Sequence, residues 1–124
     1  MARLLVVDDD PYTRELLKLM LCAIGHEVDI ADNGAHAMQR IEKCQPSLVI
    51  TDILMPEMDG FELISVLAKK YPAIKILAIS AGSRGFPVKD SLETAKDFGA
   101  IKTLTKPIEK NLLIEAVNAA LADA

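Results

Sequence analysis

The stretch "RLLVVDDDP", residues 3–11, decides how the rest of the chain is read. Its first half is continuously apolar rather than alternating, the pattern of a strand buried on both faces of a parallel sheet. Its second half sets three carboxylates at the end of that strand. Asp10 followed by Pro11 has a local use, because Asp is a good helix N-cap and proline suits the first helical position. Asp8 and Asp9 are left over. Two carboxylates a few ångströms apart in a surface-like dielectric repel by on the order of 4 kcal/mol before solvent relaxation. The stretch therefore predicts a strand that turns at once into a helix, with a surplus of acid at the turn that some other group must satisfy.

The same alternation continues outward from this unit. After Pro11, Leu16, Leu17, Met20, Leu21 and Ile24 recur at helical spacing until Gly25. "EVDIA" (27–31) is a second, weaker strand, and "NGAHAMQRIEKC" (33–44) a short helix with Ala37, Met38 and Ile41 on one face. "SLVITD" (47–52) is a third strand, apolar until its last residue, and "MPEMDG" (55–60) a loop by composition. A helix with Phe61, Ile64, Leu67 and Ala68 inward follows and stops near Pro72. "IKILAIS" (74–80) is a fourth strand, "AGSRGFPVK" (81–89) a long connection rich in turn residues, and a helix is expected near 89–98. "IKTLT" (101–105) is a fifth strand, and a last helix over 109–122 carries Leu112, Leu113, Ala116, Val117, Ala120 and Leu121. Five strands alternating with five helices predict a parallel sheet covered on both faces.

With 124 residues the chain has room for one domain, 1–124, with a proper core. Its 51% hydrophobic and 26% charged content is that of a globular protein rather than a disordered one. A net charge of −4 without any Lys/Arg run argues against nucleic acid as a partner. No apolar stretch reaches membrane-spanning length and the N-terminus is too short in apolar run for a signal peptide, so no membrane partner is expected and the location is cytoplasmic. Cys22 and Cys44 lack CxxC or Cys/His spacing and read as reduced thiols. His26 and His36 read as surface residues at a turn and on a solvated helix face.

In a parallel sheet of this kind the ligand site lies at the carboxyl ends of the strands. The polar residues there are Asp8 and Asp9 after the first strand, Asp52 after the third, Ser80 after the fourth and Lys106 just past the fifth. Three carboxylates and one ammonium leave two negative charges, which one divalent cation would neutralise. All-oxygen donors without His or Cys point to a hard ion, Mg²⁺ first with Mn²⁺ tolerated. Asp9 suits a direct ligand and Asp8 one acting through water. A metal, a spare carboxylate, a hydroxyl and a lysine suit phosphoryl transfer, with Asp52 as the nucleophile that would form an acyl phosphate.

The segments "LLVVDDDP", "VITDILMPEMDG", "ILAISAG" and "TLTKPI" resemble the receiver domain of two-component response regulators, over essentially the whole chain and in the family's order and spacing. The resemblance implies a three-layer α/β/α sandwich, a flavodoxin-like, doubly wound five-stranded parallel sheet of strand order 2-1-3-4-5. It implies that Asp52 accepts phosphate from a sensor histidine kinase or a histidine phosphotransfer protein. It implies Mg²⁺ held by Asp9, Asp52 and the backbone carbonyl of Leu54 with Asp8 assisting, Ser80 as the hydroxyl, and Lys106 paired with the phosphoryl group. The Lys106–Pro107 peptide bond would be cis. Output would pass to a downstream protein target, from a chemotaxis-type single-domain regulator that is a monomer or weak dimer; the alternative is a receiver domain of a longer regulator or hybrid kinase.

Two departures from the family pattern stand out. Thr103 occupies the position, three before the lysine, where the family carries Tyr or Phe that moves with the hydroxyl residue. The connection between Ser80 and Lys106 is also longer than usual, which suggests that loop 82–88, with Phe86, takes over the switching role. Leu54 and Gly82 flank the expected acyl phosphate and cannot orient water, so self-dephosphorylation should be slow. Leu54 also disfavours an Mg²⁺-dependent phosphatase, which needs a second acid–base Asp at that position. The chain lacks the Gly-rich turn of a dinucleotide-binding unit after its first strand.

Overall fold

The computed structural model describes residues 2–53, 60–80, 100–106 and 108–122, the side chains of residues 60, 61 and 80 excepted. Strands β1 (Arg3–Val7), β2 (Glu27–Ala31), β3 (Leu48–Asp52), β4 (Lys75–Ser80) and β5 (Lys102–Thr105) form one parallel sheet in the order β2-β1-β3-β4-β5. Helices α1 (Pro11–Cys22), α2 (Gly34–Lys43), α3 (Gly60–Lys70) and α4 (Lys110–Ala122) cover it. The helix expected near 89–98 lies outside the described residues, as does the loop at 82–88.

Because successive side chains of a strand point to opposite faces, each continuously apolar strand feeds two cores. Leu5, Val7, Val49, Ile76 and Ala78 pack with Ala37 and Ile41 of α2 and with Leu63, Ile64 and Leu67 of α3. Leu4, Val6, Leu48, Ile50, Leu77 and Ile79 pack with Leu17 and Leu21 of α1 and with Leu113, Val117 and Ala120 of α4. The result is the three-layer α/β/α sandwich.

Helix ends follow the local chemistry. Asp10 caps α1 by accepting from the Tyr12 N–H at 3.3 Å and the Thr13 hydroxyl at 2.6 Å, and Asn33 caps α2 by accepting from His36 N–H at 2.8 Å. Three side chains expected inward face out. Ile24 is 39% exposed because α1 ends at Cys22, after which Gly25 at φ +96° makes the turn into β2. Ala68 is exposed because α3 buries Leu63, Ile64 and Leu67, and a residue one step past that stripe lies on its flank. Leu112 is half-exposed for the same reason, one step before the Leu113, Val117, Ala120 stripe.

The order of the strands fixes where a site can form. The chain runs from β1 to β2 on one side and returns past β1 to β3 on the other. In sheets of this topology the ligand site lies where the order reverses, outside the carboxyl ends of the strands, here those of β1 and β3. Among the described residues, no helix is long and apolar enough to cross a membrane.

Candidate functional site

The side-chain alternation that builds the core also aims the polar residues. In β1 the positions Leu4 and Val6 face the α1/α4 layer, and Asp8 continues that parity past the strand end. In β3 Leu48 and Ile50 do the same, followed by Asp52; past β5, Leu104 is followed by Lys106. Three strands thus deliver a polar group to the same rim on the same face. The Lys106 ammonium lies 2.9 Å from Asp52 Oδ2 and 3.0 Å from Asp8 Oδ2. One carboxylate oxygen from each of Asp8, Asp9 and Asp52 lies within 4.8 Å of the other two. Asp8 is fully buried, Asp52 nearly so, and Asp9 is exposed.

The turn that carries Asp8 is fixed from several directions. Its N–H donates to the Ala31 carbonyl at 3.1 Å, extending the β1–β2 ladder by one residue. Its Oδ1 accepts from the Asp10 N–H at 2.9 Å. Its carbonyl accepts from Arg14 Nη1 at 2.8 Å. Beside Asp52, the buried Thr51 hydroxyl donates to the Asp52 carbonyl at 2.9 Å.

Burial pushes the Asp8 carboxyl above the ordinary carboxylate value, and the Asp52 charge adds to it. The Asp10 N–H and the Lys106 ammonium, which act in the opposite direction, offset this only in part. Burial by itself would lower Lys106, but the close Asp52 and Asp8 carboxylates outweigh it and hold the ammonium above its ordinary value. Lys106 is therefore a fixed positive charge at neutral pH.

These donors fit a hard divalent cation. Asp8 Oδ2 is buried and lies 3.0 Å from the Lys106 ammonium, and among the described residues no other donor is directed at it, so it has acceptor capacity to spare. Three carboxylates against one ammonium leave two negative charges at the rim. Oxygens bound to one Mg²⁺ at about 2.1 Å lie no more than about 4.2 Å apart. A spread of at most 4.8 Å is thus close enough for direct ligation by some of the three and ligation through water by another. Among the described residues this is the one cluster of three or more His, Cys, Asp or Glu with such spacing.

Of the residues expected at the site, Asp8, Asp9, Asp52 and Lys106 come together. Ser80 is the last residue of β4, paired in register with Thr105 beside the end of β3. Thr103 sits half-buried in β5 opposite Ala78. Leu54 and Pro107 lie outside the described residues, so the Leu54 carbonyl and the Lys106–Pro107 bond do too. Sequence reasoning missed Arg14. Its signal was its place four residues after the N-cap Asp10, one helical turn along α1 from the acidic turn.

The family model of the response regulator receiver domain matches residues 4–118. The chemotaxis protein CheY of Thermotoga maritima is 35% identical over 118 residues, covering 94% of each chain. The transcriptional regulatory protein GlrR of Escherichia coli is 34% identical over 120 residues, which are 97% of this chain. This chain spans only 26% of the length of GlrR. Among solved structures, Vibrio cholerae chemotaxis protein CheY4 superposes with a TM-score of 0.86 at 27% identity, covering 97% of this chain and 98% of that one.

Proposed function

The chain belongs to the response regulator receiver domain family, and from that premise we propose that Asp52 is the phosphoacceptor of a two-component signalling pathway. The observation that carries the reading is the meeting of Lys106 with both Asp52 and Asp8 at 2.9 and 3.0 Å, from elements far apart in sequence. A carboxylate attacking a phosphoryl group needs its own charge and that of the phosphoryl oxygens offset at once. Lys106 offsets both from one position.

In this reading a phosphohistidine of a sensor histidine kinase or phosphotransfer protein approaches the rim at the ends of β1 and β3. An Asp52 oxygen forms the new P–O bond while the donor's P–N bond breaks, its electron pair staying on the leaving imidazole. Lys106, already paired with Asp52, receives the phosphoryl oxygens as charge builds on them. Ser80, at the end of the neighbouring strand, donates its hydroxyl to another. Asp8, Asp9, Asp52 and the Leu54 carbonyl would hold Mg²⁺, which supplies further charge neutralisation in the dissociative transfer. The group is transferred to the chain itself, so the domain acts as a switch rather than as an enzyme turning over a substrate. Output through contact with a downstream protein is part of the same proposal.

The test is intact-mass spectrometry after incubation with acetyl phosphate and Mg²⁺. The protein should gain the mass of one phosphoryl group, and Asp52→Asn or excess chelator should abolish the gain. An unmodified wild-type mass would overturn the reading.

A further inference from the structure

Asp9 is the exposed member of the acidic cluster, and among the described residues no hydrogen bond or ion pair holds its carboxylate. With no side-chain contact to hold it, the one fixed element of its placement is the direction in which its Cβ leaves the backbone. The Asp8 carbonyl and the Asp9 nitrogen share one rigid peptide plane. Whatever fixes the carbonyl fixes the plane from which Asp9 departs. The group that fixes it is Arg14, whose Nη1 donates to the Asp8 carbonyl at 2.8 Å. Arg14 is half-buried and belongs to α1, anchored in turn by Leu17 and Leu21 in the core.

The charge of Arg14 also reaches an acid past β2. The Asp32 carboxyl, just past β2, is held below its ordinary value, first by its hydrogen bond with His36 and also by the charge of Arg14. The guanidinium thus acts both on the acidic turn after β1 and on the residue after β2. We propose that Arg14 is a positioning residue for the rim: by clamping the Asp8 carbonyl it aims the Asp9 carboxylate at a divalent cation. This rests on the metal-assisted reading of the site given above.

The proposal has a consequence opposite in sign to simple electrostatics. A positive charge near a cation site repels the cation, so removing it should strengthen binding, by about twofold for a single and a double charge one Debye length, roughly 8 Å, apart in water at physiological ionic strength. Losing the clamp should weaken binding, and outer partners of metal ligands typically cost roughly 10–100-fold when removed. The clamp should win.

The experiment is a titration of the ¹⁵N-labelled full chain with MgCl₂, followed by amide chemical shifts, for wild type, Arg14→Ala and Arg14→Lys. Arg14→Ala should bind Mg²⁺ roughly tenfold more weakly, with the Asp9 amide shifted before any metal is added. Arg14→Lys, which can still donate to the carbonyl, should recover part of the loss. Should Arg14→Ala lose cooperative thermal unfolding, Arg14→Met keeps the packing of the stem without the donor and takes its place. Affinity equal to or tighter than wild type in the variant without a donor overturns the proposal and leaves the metal site standing. A wild-type chain that gives no saturable shift overturns both, so the two failures are distinguishable.

Discussion

At Asp8 a fully buried carboxylate lies 3.0 Å from an ammonium and shares a rim with two further carboxylates. Its folded-state value is raised, by burial first. A carboxyl raised on folding contributes its stability below the ordinary carboxylate range, about pH 4, and that contribution is lost as pH rises through the raised value. At neutral pH the ionised group therefore costs stability. Asp8→Asn keeps an acceptor for the Asp10 N–H and removes the buried charge, while Lys106 keeps Asp52. Thermal melts in chelator at pH 7 should place this variant a few degrees above wild type, with a shallower fall in melting temperature between acid and neutral pH. A lower melting temperature would mean that the ion pair outweighs the burial cost. The surplus of acid at this position was legible in "DDDP" alone. Arg14 was not, because an arginine on a helix is ordinary until the turn it reaches is known.

At the level of elements, each functional group sits at a junction whose geometry comes from ordinary helix and strand chemistry. Asp10 separates the two uses of the acidic run: it caps α1 through Tyr12 and Thr13, while its N–H braces Asp8. Asp10→Ala should measurably destabilise the fold, as loss of an N-cap side chain does. The hydrogen bond from Thr13 holds the Asp10 carboxyl below its ordinary value, so its contribution is present above about pH 4 and fades as pH falls through the lowered value. Urea unfolding at pH 7 and again in acid checks this, the gap between wild type and variant narrowing in acid. An unchanged gap would assign the effect to packing instead. The strands and helices were legible because their apolar periods are strong, but their inward faces were less so. Ala68 and Leu112 each lie one step off a stripe, and a 100° rotation per residue separates buried from exposed there.

For the molecule as a whole, the sheet works as a projector. Parity along β1, β3 and β5 carries Asp8, Asp52 and Lys106 to one face of one edge, beyond Val6, Ile50 and Leu104. That convergence could be foreseen from strand-end positions, since a parallel sheet puts all carboxyl ends on the same side. That the lysine would reach both Asp8 and Asp52 could not, because pairing depends on twist and register, here Asp52 opposite Ile79 and Ser80 opposite Thr105. The most direct measurement of the central claim is chemical trapping. Protein treated with acetyl phosphate and Mg²⁺ is reduced with borohydride, which converts an aspartyl phosphate to homoserine, and the peptides are mapped by mass spectrometry. Homoserine at position 52 alone is the expected result; homoserine at position 8 or 9, or none at all, would contradict the assignment of Asp52 as the phosphoacceptor.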